Sequence, residues 1–281
     1  MKLVQKIAIG YIRVKFRILS ALSKKKAAKA AFKLFCTPPT RDVIKLTPIF
    51  EKAEKLQFNF QAYNITGYRW NKGVKRKVMI IHGFESCAIN FSQYVEPLIA
   101  KGYEVLAFDA PAHGRSSGKR INIIIYKDLI KYVHEKYGPV QSFITHSFGG
   151  LALALALVEM KHDDSYRVAL VSPATETTTA VDQFFTIIKV NDKIVKKEFE
   201  DIILEVGGHP SSWFSIYRVM PGIKANILWY HDEEDKVTPL QDALPIKNQN
   251  YSNVQFVITK GLGHSRIYRD ANVSGAIIEF M

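Results

Sequence analysis

One segment constrains the fold of this chain more than any other. An apolar run at residues 140–144 is followed by Thr-His-Ser-Phe-Gly-Gly at 145–150 and by an Ala- and Leu-rich run at 151–158. The first run predicts a buried strand and the last predicts a helix. A serine in an abrupt turn between them is lifted clear of the sheet edge and held there by a strained backbone, while the two glycines let strand and helix approach closely. Ser147 is therefore predicted to be a nucleophile.

Two later segments supply the partners that such a serine needs. An apolar strand leads into an acidic turn that contains Asp232 and Asp235, and the next strand leads into a loop that contains His264. A serine hydroxyl needs an imidazole to take its proton, and the imidazole needs a carboxylate that fixes its tautomer. Either aspartate can supply that carboxylate by chemistry. The position four residues before Pro239 favours Asp235.

An earlier strand is predicted to supply the site for a developing negative charge. It ends in His82-Gly83-Phe84, which leaves the backbone N–H of Phe84 free to point into the site. Together with the N–H of Phe148, this amide would form an oxyanion hole. His82 and His113 are expected to make structural hydrogen bonds at loop corners. His146 is expected to point to the other face of its strand, away from the nucleophile.

Five blocks in the chain resemble those of the α/β-hydrolase superfamily, in the same order and at the same spacing. They are His-Gly-Phe at 82–84, Phe-Asp-Ala-Pro-Ala-His-Gly-Arg-Ser at 108–116, His-Ser-Phe-Gly-Gly at 146–150, His-Asp-Glu-Glu-Asp-Lys-Val-Thr-Pro at 231–239 and Gly-Leu-Gly-His at 261–264. The similarity runs from about Leu34 to Met281. His-Asp at 231–232 and Arg-Ile-Tyr-Arg-Asp at 266–270 also resemble a bacterial branch with no agreed substrate. One departure is Thr145, where the G-x-S-x-G motif has glycine. The resemblance implies a serine hydrolase.

The alternation of predicted elements indicates an α/β-hydrolase fold, with a mostly parallel, doubly wound sheet, a helical lid insertion and an N-terminal helical extension. Ligands of such sheets bind at the carboxyl ends of the strands, where the predicted site residues lie. The strands are expected as an antiparallel pair within 56–70 and near 76–82, 103–109, 140–146, 166–172, 225–231 and 254–260. Helices are expected at about 88–101, 122–137, 147–160 and 270–281.

Residues 173–224 do not fit this alternation, since they separate two core strands by too long a connection. Two apolar stripes at helical spacing indicate a pair of amphipathic helices here. They consist of Val181, Phe184, Phe185 and Ile188, then Val195, Phe199, Ile202, Ile203 and Val206. We expect the two helices to form a lid over the serine that sets substrate choice. The alternative is that both stripes simply pack on the core, and the two interpretations can hold at once.

The charge of the chain is concentrated at its N-terminus. Residues 1–41 hold eleven basic residues and no acidic one, whereas 42–281 hold 28 basic and 26 acidic residues. We therefore divide the chain into an N-terminal arm, 1–41, and a catalytic domain, 42–281, and expect no nucleic-acid partner. On a helical wheel the arm separates a basic sector from an apolar face, which Lys15 interrupts. The basic sector holds Lys2, Lys6, Arg13, Arg17 and Lys24, and the apolar face holds Leu3, Val4, Ile7, Tyr11, Val14, Ile18 and Leu22. The arm is expected either to contact an anionic membrane surface peripherally or to dock on the domain.

These features together predict a hydrolase that cleaves a carboxylic ester or thioester, with Ser147 attacking, His264 acting as base and Asp235 orienting it. An acyltransferase would use the same residues, and a binding protein would keep the fold without turnover. No cofactor or metal is expected, because the chain has neither a phosphate-binding loop nor a Cys/His cluster. A small ester or acyl compound is the expected substrate and the cytoplasm the expected location. The sequence does not indicate an oligomeric state.

Overall fold

The structure is a computed structural model that describes residues 3–38 and 45–281, and of residues 3–8 it describes the backbone alone. The chain forms two compact units. The helical unit contains Met1–Thr37 and Glu176–Phe214, and the sheet unit contains Pro38–Thr175 and Ser215–Met281. The boundary predicted between residues 41 and 42 lies outside the described residues. The arm and the central insertion thus belong to one unit, an association that no motif in the sequence indicated.

In the described part of the chain, eight strands form one sheet in the order β1-β2-β4-β3-β5-β6-β7-β8. Strand β2 pairs antiparallel with both β1 and β4, and the remaining neighbours are parallel. The strands are β1 (Glu54–Phe60), β2 (Tyr63–Trp70), β3 (Lys77–Ile81), β4 (Glu104–Phe108), β5 (Ser142–His146), β6 (Arg167–Val171), β7 (Asn226–Asp232) and β8 (Val254–Thr259). The predicted fold class, with its mostly parallel sheet and antiparallel edge pair, is confirmed.

The described helices follow the predicted alternation within the sheet unit and fill the insertion. They are α1 (Leu3–Leu22), α2 (Lys24–Phe35), α3 (Pro48–Glu51), α4 (Ser92–Ala100), α5 (Ile123–Tyr137), α6 (Phe148–Leu157), α7 (Thr177–Ile188), α8 (Lys193–Gly207), α9 (Ile216–Val219), α10 (Leu240–Asn248), α11 (Gly263–Arg266) and α12 (Ala271–Phe280). Alternate residues of β3 pack on opposite sides of the sheet, as strand geometry requires. Val78 and Ile80 belong to the core built with α4 and α12. Met79 and Ile81 line a small cavity with residues of α5.

An aromatic cluster holds the helical unit together. Its rings are Phe32 and Phe35 of α2, Phe184 and Phe185 of α7, and Phe199 of α8, with centroids 5.1 to 6.1 Å apart. Asp192 caps α8 by accepting from the Ile194 and Val195 amides, and it also pairs with Lys24 at the start of α2. The two stripes predicted in the insertion therefore pack against each other and against α2 through Phe184, Phe185 and Phe199, whereas Val206 at the end of the second stripe is 48% exposed.

We expect Phe199→Ala to loosen the helical unit, because Phe199 is fully buried and contacts four other rings of the unit. Truncating a buried phenylalanine costs about 3–5 kcal/mol. Hydrogen exchange should show reduced protection for α2, α7 and α8, with the strand amides unaffected. Leu204→Ala, at a position on α8 that is 48% exposed, is the matched control. Equal loss of protection in the sheet would contradict independent packing of this unit.

Candidate active site

Ser147 lies in the turn between β5 and α6 with a backbone that L-residues rarely adopt, at φ 55° and ψ −125°. Its N–H donates to the carbonyl of Val171 at 3.1 Å, which ties the turn to the end of β6. The side chain is 7% exposed. The predicted turn between strand and helix is therefore present, and it holds a serine hydroxyl at the carboxyl edge of the sheet.

Glycine is required at two positions around this serine. A Cβ on Gly83 would lie 2.9 Å from the Cβ of Ser147, and a Cβ on Gly149 would lie 2.6 Å from the carbonyl oxygen of His82. Contacts this short do not occur in folded proteins, so neither position accepts a side chain without a shift of the backbone. The loop after β3 and the start of α6 can both reach the serine because of these glycines.

His264 connects Ser147 to Asp235 across long stretches of the chain. Its Nε2 lies 3.0 Å from the Ser147 Oγ, and its Nδ1 lies 2.8 Å from the Asp235 Oδ2. The imidazole is supplied by α11, which follows β8, and the carboxylate by the loop after β7. The fold thus brings the three side chains predicted from the sequence into one continuous series of hydrogen-bonding contacts.

The environment of Asp235 keeps its carboxyl group ionised. Burial by itself raises the pKa of Asp235, but the hydrogen bond and charge of His264, together with bonds from Thr238, outweigh burial and hold the pKa below its usual range. One carboxylate oxygen accepts from the Val237 and Thr238 amides, each at 2.9 Å. The other accepts from the Thr238 hydroxyl at 2.8 Å. Thr238 belongs to the sequence block at 231–239, but nothing in that block indicated that its amide and hydroxyl would donate to Asp235.

Asp232, the alternative acid, has different partners. Its carboxylate accepts from the Thr259 hydroxyl at 2.8 Å and from the amides of Glu234 and Leu262 at 3.0 Å. Burial raises its pKa, and hydrogen bonds from Gly263, Thr259, Leu262 and Glu234 more than offset this and lower it. Among the described residues, its hydrogen-bond partners do not include His264. Asp232 therefore ties the end of β7 to the loop before α11, whereas Asp235 contacts the imidazole itself.

The backbone around Phe84 is fixed by two buried histidines. His82 donates from Nδ1 to the Gly83 carbonyl at 2.7 Å and accepts from the Ala110 amide at 3.0 Å. His113 donates through Nε2 to the Phe84 carbonyl. In a trans peptide the carbonyl and the N–H point in opposite directions, so anchoring the Gly83 carbonyl also orients the Phe84 N–H. The N–H groups of Phe84 and Phe148 have no acceptor among the described residues.

The expectation that His146 faces away from the site is wrong. Its Nε2 donates to the backbone carbonyl of His264 at 2.9 Å, and its ring lies 4.6 Å from the His264 ring and 4.4 Å from that of Tyr268, between centroids. Alternation along β5 places His146 and Thr145 on opposite faces of the strand. His264 lies at the end of the strand on the same face as His146. A pattern within one strand carries no information about the direction from which a distant loop arrives.

The comparisons with known proteins identify the family of the chain. Residues 72–215, just over half of the chain, match the family described as serine aminopeptidase, S33. The chain belongs to this family of the α/β-hydrolase superfamily. It is therefore a hydrolase by family, with the fold that its five sequence blocks predicted.

Individual relatives are more distant. An uncharacterized hydrolase, YugF, from Bacillus subtilis (strain 168) is 28% identical over 106 residues, and the match spans 36% of this chain and 38% of that protein. The Pyrococcus furiosus esterase Pf2001 superposes with a TM-score of 0.65 at 21% identity, covering 87% of this chain and 97% of the esterase. A thioesterase domain from the curacin biosynthetic pathway gives 0.58 at 17% identity, covering 80% and 99%. These structures share the fold.

The buried histidines should make the protein sensitive to acid. Burial lowers the pKa of His82 and His113 to about 4 and that of His146 to about 3. In the unfolded chain each ring titrates near ~6.5. Between these values the unfolded state binds more protons, so we expect the free energy of unfolding to decrease as the pH falls from roughly 6.5 to 4, by up to about 1.4 kcal/mol per pH unit per ring.

Urea unfolding at several pH values measures this slope. His146→Gln retains a donor for the His264 carbonyl and removes one titrating ring. The slope of the unfolding free energy against pH should therefore fall by the amount that one bound proton contributes. His209→Gln, at an exposed position of the helical unit, is the control. A free energy of unfolding that is constant across this window would show that the buried rings are already protonated in the folded protein.

Proposed function

We propose that this protein is a serine hydrolase that cleaves a carboxylic ester or thioester through an acyl-enzyme on Ser147. The observation that supports the proposal most is the unbroken series of contacts from the Ser147 hydroxyl through His264 to Asp235. A serine needs this arrangement to become a nucleophile near neutral pH. A protein that only binds a ligand has no need of all three groups.

Acylation begins with proton transfer along this series. The Ser147 Oγ attacks the acyl carbon while its proton passes to His264 Nε2, 3.0 Å away. Nδ1–H of the imidazole donates to Asp235, whose carboxylate stabilises the imidazolium as it forms. The low pKa of Asp235 keeps this carboxylate charged near neutral pH.

The developing oxyanion would be bound by the N–H groups of Phe84 and Phe148. Losing one such donor typically reduces the rate by roughly 100- to 1000-fold. His82 and His113 act as positioning residues, because they hold the carbonyl groups on either side of the Phe84 N–H. Burial lowers the pKa of both rings to about 4, which favours their neutral forms near neutral pH.

Collapse of the tetrahedral intermediate breaks the bond from the acyl carbon to the leaving oxygen or sulfur, and His264 gives its proton to the leaving group. Water then attacks the acyl carbon while His264 takes its proton. The bond from the acyl carbon to the Ser147 Oγ breaks, His264 returns the proton to Oγ, and the acid product leaves. We further infer that the insertion of residues 176–214 controls substrate access as a lid, since it follows β6, whose carboxyl end holds the serine turn in place. A cytoplasmic location is part of the same proposal.

We expect Ser147→Ala to abolish labelling by a fluorophosphonate probe and to lower esterase activity by several orders of magnitude, because the alanine carries no nucleophile. Ser142→Ala, at the opposite end of β5 and also buried, is the matched control and should retain labelling. Equal labelling of wild type and Ser147→Ala would exclude the acyl-enzyme.

A panel of p-nitrophenyl esters and thioesters of graded acyl length, measured beside aminoacyl p-nitroanilides, tests the substrate class. Turnover of the anilides with no turnover of the esters would contradict the ester assignment. Labelling of Ser147 without turnover of any compound would favour a binding role.

Exchanging the two aspartates for asparagine separates their roles. Asp235→Asn should lower kcat by roughly 10⁴-fold, because an amide donor favours the wrong tautomer of the histidine. Asp232→Asn should lower kcat much less and instead reduce the melting temperature, since its bonds hold the loop of Leu262. Stopped-flow kinetics and calorimetry measure both quantities. The opposite ranking of kcat would make Asp232 the functional acid.

A further inference from the structure

One face of α1 carries an exposed apolar stripe. It consists of Tyr11, Val14, Ile18 and Leu22, which are 70%, 60%, 54% and 77% exposed. Spacings of three, four and four residues place these side chains on one side of the helix. Four large apolar side chains in a continuous row are unusual on a protein surface and typically mark an interaction site.

The helix is held in place by its other face. Phe16 and Ser20 of α1 are buried, and Arg13 donates from Nε to the Ile187 carbonyl of α7 at 3.0 Å. Ser20 also reaches Asp192 at the start of α8. The described side chains of the predicted apolar face are therefore exposed, whereas the helix packs within the helical unit through its other face. Those of Lys2, Leu3, Val4, Lys6 and Ile7 lie outside the description.

Exposed cations lie on the helix that carries the stripe and on the helix that follows it. They are Lys15 and Arg17 on α1 and Lys25, Lys26 and Lys29 on α2. Within the described residues none of these five makes an ion pair, whereas Lys24 is paired with Asp192. Residues 1–41 contain no acidic side chain. No ion pair among the described residues therefore offsets the charge of these five side chains.

We propose that this face of α1 binds an anionic lipid surface, with the stripe inserted among the lipid headgroups and the lysines and arginine contacting phosphate. An exposed apolar row bordered by cations is the pattern of helices that lie in a membrane interface. A second copy of the chain would bring the same uncompensated cations to the contact, so charge complementarity favours anionic lipid over self-association. Among the described helices, none is long and apolar enough to cross a membrane.

Co-sedimentation with vesicles tests the proposal on the full chain. Wild type should bind vesicles of equal parts phosphatidylcholine and phosphatidylglycerol at low salt, release at high salt, and ignore pure phosphatidylcholine. Ile18→Ser with Leu22→Ser should weaken binding at least about tenfold through lost apolar burial. Lys25→Gln and Lys26→Gln should each weaken it by about fivefold, the factor equivalent to about 1 kcal/mol.

The matched control is Ile194→Ser with Leu204→Ser on α8. These side chains lie in the same unit and are 57% and 48% exposed, but they are not part of the stripe. The control should bind like wild type, and circular dichroism should confirm that each variant keeps its helices. Failure of wild type to bind, equal binding to both vesicle types, or equal losses in the stripe and control variants would each overturn the proposal. So would a lipid-free dimer that the stripe substitutions dissociate, which would make a second copy the occupant.

Discussion

The positive φ of Ser147 is the constraint on which the arrangement of the site depends. A non-glycine residue in this conformation is destabilised by about 1–3 kcal/mol and persists only when its surroundings fix it. Here the Val171 carbonyl accepts from its N–H, while Gly83 and Gly149 leave room for two neighbouring segments. Relaxing the turn would move the hydroxyl away from the His264 Nε2. The glycines are therefore part of the site, although they contribute no reacting atom.

Buried polar groups around this turn mostly bind backbone rather than one another. His82, His113 and His146 each donate to a main-chain carbonyl, and Asp232 accepts from main-chain amides. Satisfying buried backbone groups in this way fixes loops that have no regular structure. It also requires neutral imidazoles beside an ionised carboxylate. Burial favours the neutral imidazoles, whereas the hydrogen bonds that Asp232 accepts outweigh burial and keep its carboxylate ionised.

The strands, and the meeting of Ser147, His264 and Asp235, were predictable because each depends on local sequence. An apolar run fixes a strand, and parallel strands bring the loops that follow them to one edge. The orientation of His146 was not predictable, since it depends on where the distant loop of His264 comes to lie. The bonds from Thr238 to Asp235 are local, but no motif in the sequence indicated them. The packing of α2 against α7 and α8 was also not predicted, because it depends on contacts between helices that are distant in the sequence. In the sequence alone, Phe32, Phe35 and Phe199 are ordinary apolar positions.

Helix α1 shows what a helical wheel reports and what it leaves out. The wheel separates apolar from basic residues, but it does not show which side of the helix packs against the rest of its unit. Phe16, which is buried, lies close to the basic sector. Because Phe16 and Ser20 anchor the helix within its own unit, the stripe of Tyr11, Val14, Ile18 and Leu22 is held in helical form before any contact is made. A free peptide must form its helix as it binds, and nucleating a helix in water is unfavourable. The anchored helix avoids that cost, which would strengthen the surface binding proposed for the stripe.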